Sequence, residues 1–130
     1  MGIGTVVDCI DDSGVVRAKI IKVLGHTKKM EARIGDRVTV VIKHRNIKVK
    51  NLAKARIRHK FRVGAMQRGI VVQTKRNFRR WNGSWISFFR NAIIITSKRN
   101  KPLCSKIKGA IPFELARKYP KMGSISSLIV

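Results

Sequence analysis

Of 130 residues, 30 are Lys or Arg and only 6 are Asp or Glu, a formal net charge of +24. Self-repulsion on that scale opposes a compact fold unless a polyanion neutralises it, which points to nucleic acid and leaves few groups from which to build an acid–base catalyst. The length suits one domain, 1–130, with a core large enough to need no disulfide or metal staple. No apolar run approaches the roughly 18 residues of a membrane span, and the basic amphipathic helix that an anionic membrane would want is not visible.

The charges are unevenly placed. Asp8, Asp11, Asp12, Glu31 and Asp36 lie in the first third, and Glu114 stands alone near the end. Between Asp36 and Glu114 there is no acid, while Lys and Arg keep recurring, an electrostatic footprint for nucleic acid. Met1-Gly2-Ile3-Gly4 has neither the charged nor the long apolar region of a secretory signal, and Val6 stands where a myristoylation pattern wants Ser or Thr. Cys9 and Cys104, far apart, read as free thiols of a reducing compartment rather than as a disulfide.

In chain order, 5–10 is a short β-rich run and 11–14 a turn, where the adjacent pair Asp11-Asp12 reads as turn or capping chemistry. Residues 15–24 alternate in places and predict a strand pairing back on the first, ended by Gly25; 26–29 is a loop. Residues 32–36 lead through a turn into a third, buried strand at 37–42.

The stretch 43–62 is dense in cations: Lys43, Arg45, Lys48, Lys50, Lys54, Arg56, Arg58, Lys60 and Arg62. From Ala55 it alternates, with Ala55, Ile57, Phe61 and Val63 on one side and Arg56, Arg58, Lys60 and Arg62 on the other. Such a ladder repels itself in water but is neutralised step by step along a phosphate backbone. A solvated loop and edge strand is the plainer alternative, since edges often carry Lys to block aggregation.

A turn is expected at 64–68, and the stretch that organises the chain follows at 69–95. Its apolar ends, 70–72 and 93–95, are β-branched and short, as strands are. Between them Asn82-Gly83 predicts a hairpin with a type I′ turn, which needs positive φ at both residues. Lys75, Arg76, Arg79, Arg80 and Trp81 precede that turn, and Trp85, Phe88 and Phe89 follow it. The result is a hairpin arm with a cationic, aromatic end. Trp81, Trp85, Phe88 and Phe89 suit base stacking, with Phe88 and one of Phe89 or Trp85 expected in the core.

Residues 96–102 form a basic loop with Lys98, Arg99 and Lys101, 103–107 a last strand, and Lys108-Gly109 a turn. Residues 112–118 predict a helix: Pro112 at its start, Glu114 in the first turn, Arg117 and Lys118 in the last, and Pro120 beyond it. Residues 124–130 are either a further helical turn or an extended tail. His26, His44 and His59 are scattered among cations, and no Cys-x-x-Cys, His-x-x-x-His, Walker or dinucleotide glycine pattern occurs. No catalytic residue, metal or cofactor is therefore expected.

The central stretch resembles the universal large-subunit ribosomal protein L-fourteen family. The match is Gly69, then Ile70-Val71-Val72, then nine residues, Asn82-Gly83, and then Phe88, Asn91 and Ile94-Ile95, with Ile94 where the family prefers Val. Around it lie Asp12-Ser13-Gly14, Lys22-Val23-Leu24-Gly25, Gly35-Asp36, Thr74-Lys75, Lys101-Pro102 through Gly109, and an ending at 125–128 similar to the family's Ile-Ser-Leu-Ala. The resemblance covers nearly the whole chain.

It implies an all-β fold: a small closed five-stranded β-barrel with a projecting β-hairpin and short C-terminal helices. It also implies a non-enzymatic constituent of the large subunit's inter-subunit face. Such a protein binds large-subunit rRNA, touches neighbouring large-subunit ribosomal proteins and reaches small-subunit rRNA in a bridge. A ribosome-silencing factor docks on that face in bacteria and organelles, against a family Gly-Thr-Arg-Ile stretch. Here Cys104-Ser105-Lys106-Ile107 stands there, making Ser105, Lys106 and Ile107 the expected protein or inter-subunit contacts. Lys in place of Arg loses the bidentate fork.

The expected rRNA contacts are Lys43, Arg45, Lys48, Lys50, Arg56, Arg58, Lys60, Arg62, Lys75, Arg76, Arg79, Arg80, Trp81, Lys98, Arg99, Lys101 and Lys108. The stretch 44–59 is longer and more basic than the family's usual connection, and is expected to be an extension binding rRNA or a neighbouring protein. That extension, with the sequence drift, favours a mitochondrial ribosome over a bacterial or plastid one. The alternative function is a free-standing barrel that binds single-stranded nucleic acid through Trp81 and Trp85.

Overall fold

The computed structural model describes residues 1–25, 31–46 and 61–130. The loop expected at 26–29, the alternation expected at 55–60, most of the basic extension at 44–59 and the candidate contacts Lys48, Lys50, Arg56, Arg58 and Lys60 lie outside the described residues.

In chain order the elements are β1 (Val6–Cys9), β2 (Val15–Val23), β3 (Arg37–Arg45), β4 (Met66–Gln73), β5 (Phe78–Arg79), β6 (Trp85–Ile86), β7 (Ala92–Thr96) and β8 (Ile107–Ile111). Helices α1 (Phe113–Lys118) and α2 (Pro120–Ile125) and strand β9 (Ser126–Ile129) complete the chain. Strands β1-β2-β3-β4-β7 close a barrel. Neighbours pair antiparallel except at the closing seam, where β1 runs parallel to β7 with Asp8 opposite Ala92. The all-β, five-stranded barrel with short C-terminal helices is thus present.

Two hydrophobic clusters explain why the apolar runs of β4 and β7 are continuous rather than alternating. Successive side chains of a strand point to opposite faces. Val71, Ile93 and Ile95 turn into the barrel, against Val7, Ala18, Ile20, Val38, Val40 and Ile42. Ile70, Val72 and Ile94 turn outward, against Ile10, Ile107, Ile111, Leu115 and Met122 of the turn after β1 and the C-terminal layer. A strand covered on both faces has no polar side to show. Each such fully buried aliphatic side chain contributes about 1.5–3 kcal/mol. In β2 and β3 one face stays wet, so they alternate: Val38, Val40 and Ile42 are buried and Val41 only half-buried.

Gly69 lies inside β4, opposite Ile95, rather than opening the hairpin. A Cβ there would stand 2.8 Å from the Ile94 carbonyl oxygen. Strands β4 and β7 therefore cross at a separation that only glycine tolerates.

Several boundaries differ from expectation. The turn before β4 falls at 61–64, and Met66 already pairs with Val41. Phe61 is buried but Val63 is exposed in that turn, so the two do not share an apolar face. The strand expected at 103–107 forms instead at β8, with Lys108-Gly109 inside it. Ile107 and Ile111 are the residues that reach the core, and the Lys108 N–H donates to the Ile10 carbonyl at 2.6 Å. Burial and that bond set the strand's position, while Leu103 remains exposed. Both alternatives for the tail are realised in part: α2 ends at Ile125, and β9 then pairs parallel with β8.

Candidate nucleic-acid interface

The projecting arm runs between β4 and β7. At its base the Phe88 N–H donates to the Thr74 carbonyl at 3.0 Å, and the Lys75 N–H to Asn91 Oδ1 at 3.0 Å. Further out, Phe78 pairs with Ile86 and Arg79 with Trp85. The turn is not type I′. Gly83 has φ +85°, but Asn82 does not share it, since Asn100 is the one non-glycine with positive φ among the described residues. Instead the Gly83 N–H closes on the Arg80 carbonyl at 3.0 Å, and the Arg80 N–H on the Ser84 carbonyl at 2.8 Å. Trp81 and Asn82 are therefore the central residues of a type I turn, followed by a left-handed glycine bulge. Asn82 spends its side chain locally: Oδ1 accepts from the Ser84 N–H at 3.0 Å and from Ser84 Oγ at 2.6 Å.

The aromatics are more exposed than expected. Trp81 and Phe89 each reach 103% relative exposure and Trp85 62%. Phe88 alone of this group is half-buried, so neither Phe89 nor Trp85 joins the core. The arm's strands β5 and β6 are two residues each, too short to build a core of their own.

The arm's cations divide. Arg76 forms an ion pair with Glu31, whose carboxyl is held below the usual range by that hydrogen bond and charge. Arg80 approaches Glu114 of α1 with Nε 3.0 Å from Oε1, and its Nη2 donates to the Val130 carbonyl at 2.6 Å. The Nε–Oε1 approach is an ion pair without hydrogen-bond alignment, because neither Arg80 Nε nor Glu114 Oε2 gains a hydrogen-bond partner. Lys75 and Arg79 are exposed and make no ion pair among the described residues.

The other acids are also engaged within the chain. Asp8 stands 3.7 Å from Arg17, Asp36 accepts from the Arg33 N–H at 2.8 Å, and Asp12 accepts from the Ser105 N–H at 3.0 Å. Asp11 is buried, accepting from Ser13 through Oδ1 and from the Ile95 N–H through Oδ2. Facing solvent beside these are Lys43, Arg62, Lys98, Arg99, Lys101 and Lys108, with Arg45 half-buried at the end of β3. In the 104–107 stretch Ser105 and Lys106 are exposed, but Ile107 is only 2% exposed and faces the core, so its side chain is not available for a partner.

Among the described residues no cluster of three or more His, Cys, Asp or Glu could hold a metal ion. Cys9 and Cys104 are free thiols, both pushed upward by burial and by nearby Asp11. One feature was invisible in the sequence: Arg90 Nε donates to Gln73 Oε1 at 3.1 Å, and Gln73 Nε2 to the Ala110 carbonyl at 2.6 Å, tying the arm's base to β8. Its only trace in the sequence is a polar Gln73 at the end of the apolar run 70–72, and the structure buries that side chain.

Comparison with known proteins agrees with this architecture. The whole chain, residues 1–130, matches the family described as Ribosomal protein L14p/L23e. It is also similar to the large ribosomal subunit protein uL14 of Methanoregula boonei, 29% identical over 131 aligned positions that cover 98% of this chain and 89% of that protein.

Proposed function

This chain belongs to the ribosomal protein L14p/L23e family, a structural family of the large ribosomal subunit rather than an enzyme class, and from that premise we propose how it acts there. It binds large-subunit rRNA, contacts neighbouring large-subunit proteins, and reaches small-subunit rRNA through an inter-subunit bridge. One observation carries this reading. Each of the 6 acids is engaged inside the chain, while Lys75, Arg79, Lys98, Arg99, Lys101 and Lys108 face solvent and make no ion pair among the described residues. These cations sit on an arm and loops rooted in one closed barrel. Charge neutralisation supplies the affinity, and the barrel's rigidity holds phosphate-binding groups at set spacings.

Sedimentation of native lysate at rising salt, with and without ribonuclease, tests the proposal. The chain should run with large subunits and be released by ribonuclease. A second reading, a free-standing single-strand binder, is favoured by the exposure of Trp81 and Trp85. A chain that stays at the top of the gradient would bring it forward. We read the compartment as mitochondrial on sequence drift and the basic stretch 44–59, and a silencing factor as a partner at exposed Ser105 and Lys106. Organelle fractionation and co-purification from the same gradients test both.

A further inference from the structure

Trp81 is the largest side chain at the tip of the arm, and at 103% relative exposure its ring is fully exposed. Across from it α1 presents Phe113, itself 57% exposed. Phe113 and Arg117 are four residues apart and share a helix face. Together with Lys118 they line a groove of about 580 Å³ whose other wall is Arg80, Trp81 and Asn82. The walls are held together: the Arg80–Glu114 ion pair joins the tip to α1, and Arg80 also holds the Val130 carbonyl. Among the described residues Glu114 is the one acid lining the groove, and it faces Arg80. The unopposed charge at the groove is therefore positive.

Of the two α1 cations, Lys118 turns its Nζ to the Gly35 carbonyl at 3.5 Å, which leaves Arg117, with no ion pair among the described residues, as the available charge. Exposed aromatic faces beside that guanidinium complement one chemistry well: a planar base taken out of its stack, with its phosphate. A fully paired helix has no free base face to offer. An acidic peptide would satisfy the cations, but nothing about it would require the flat, uncovered indole.

We propose that the groove between the arm's tip and α1 clamps one extruded nucleotide of RNA. The base stacks on Trp81 with Phe113 lining the opposite wall, and the phosphate lies against Arg117. This rests on the rRNA-binding reading above and names the RNA feature that this part of the surface selects.

The test uses the full chain, a short RNA hairpin carrying one bulged adenosine, and the same hairpin fully paired. The wild type should bind the bulged hairpin about tenfold more tightly, the increment of a single base–aromatic stack. Trp81→Ala and Phe113→Ala should each abolish that preference while keeping the affinity for the paired hairpin. Phe89→Ala, an equally exposed ring outside the groove, should retain it. Because Trp81 is fully exposed, Trp81→Ala should leave the melting temperature unchanged, which separates loss of the site from loss of the fold. Equal affinity of the wild type for both hairpins overturns the clamp and leaves general RNA binding intact. Failure to bind either hairpin overturns the rRNA-binding reading and the clamp with it. Quenching of the indole emission of a Trp85→Phe variant by an acidic peptide, but not by the bulged RNA, would assign the groove to a protein partner and overturn the proposal.

Discussion

Asp11 Oδ2 accepts the backbone N–H of Ile95 at 2.9 Å, joining the turn after β1 to the middle of β7 across 84 residues of chain. The other oxygen, Oδ1, takes the Ser13 N–H at 3.1 Å, the Ser13 hydroxyl, and the Cys9 thiol at 3.1 Å. A carboxylate so buried is tolerated because its lone pairs are occupied. Asp11→Ala leaves the Ile95 and Ser13 donors without partners in the core. The expected cost is about 2–4 kcal/mol, read from urea denaturation. Asp11→Asn should recover part of it, since one side-chain oxygen still accepts.

Gly69→Ala places a methyl 2.8 Å from the Ile94 carbonyl and 3.4 Å from Ile93 Cδ1. Both belong to the strand that pairs with β4, so relief requires parting the two strands. A loss of about 1–3 kcal/mol is expected. Gly83→Ala meets open space and carries only the strain of φ +85°, about 1–2 kcal/mol. That strain sits at the edge of the arm, so its effect on global unfolding should be the smaller of the two. Thermal melts of both variants side by side check the order.

Burial, reinforced by the charges of Asp11 and Asp12, pushes the Cys104 thiol up to about 12 from an ordinary 9.0. Cys9 moves in the same direction, first by burial and then by Asp11. The folded state thus keeps protons that the unfolded chain releases. This contribution to stability is fully present below pH 9.0 and is lost as pH rises towards 12. Urea midpoints across that window should fall less steeply for Cys104→Ala than for the wild type. At neutral pH both thiols should alkylate slowly when folded, because little thiolate is present.

The Arg80–Glu114 ion pair, with the two side chains 22% and 28% exposed, is the closest ion-pair link between the arm's tip and α1. A double-mutant cycle with Arg80→Ala and Glu114→Ala should give a coupling of about 1 kcal/mol, near the upper end for a partly exposed pair. Hydrogen exchange should show the tip loosening in either single variant. A coupling near zero would mean that Arg80 is held by the Val130 carbonyl alone.

RNA affinity should respond differently to the arm's cations. Among the described residues Lys75 and Arg79 have no acid partner, whereas Arg76 already has Glu31. Lys75→Ala and Arg79→Ala should each flatten the log–log salt dependence by about 0.7–0.9 for every phosphate left unneutralised. Arg76→Ala should change it less, because its charge is in part compensated before RNA arrives. Fluorescence titrations over a range of salt concentrations measure the slopes.

By itself the sequence determined the features that depend on local pattern or on composition. The short β-branched runs at 70–72 and 93–95 suited strands better than helices, and the Pro112 start placed α1 correctly. The excess of cations pointed to a polyanion, and the pattern from Gly69 through Asn82-Gly83 to Ile94-Ile95 resembled a family whose members imply a closed barrel. Tertiary structure decided what depends on partners distant in the chain. Arg76 and Arg80 look alike in the sequence, yet each meets an acid from another element, Glu31 lying 45 residues away from Arg76. Ile107 reads as the end of a strand at 103–107 and as a contact for a partner, yet a core cluster with Ile70, Ile94 and Ile111 takes it. The turn at Asn82 was set by competition: its side chain bonded Ser84, and the positive φ passed to Gly83 alone. Periodicity reports which face of an element is buried. Ion pairing and a polar side chain's choice of donor depend on which atoms the closed barrel brings within a few ångströms.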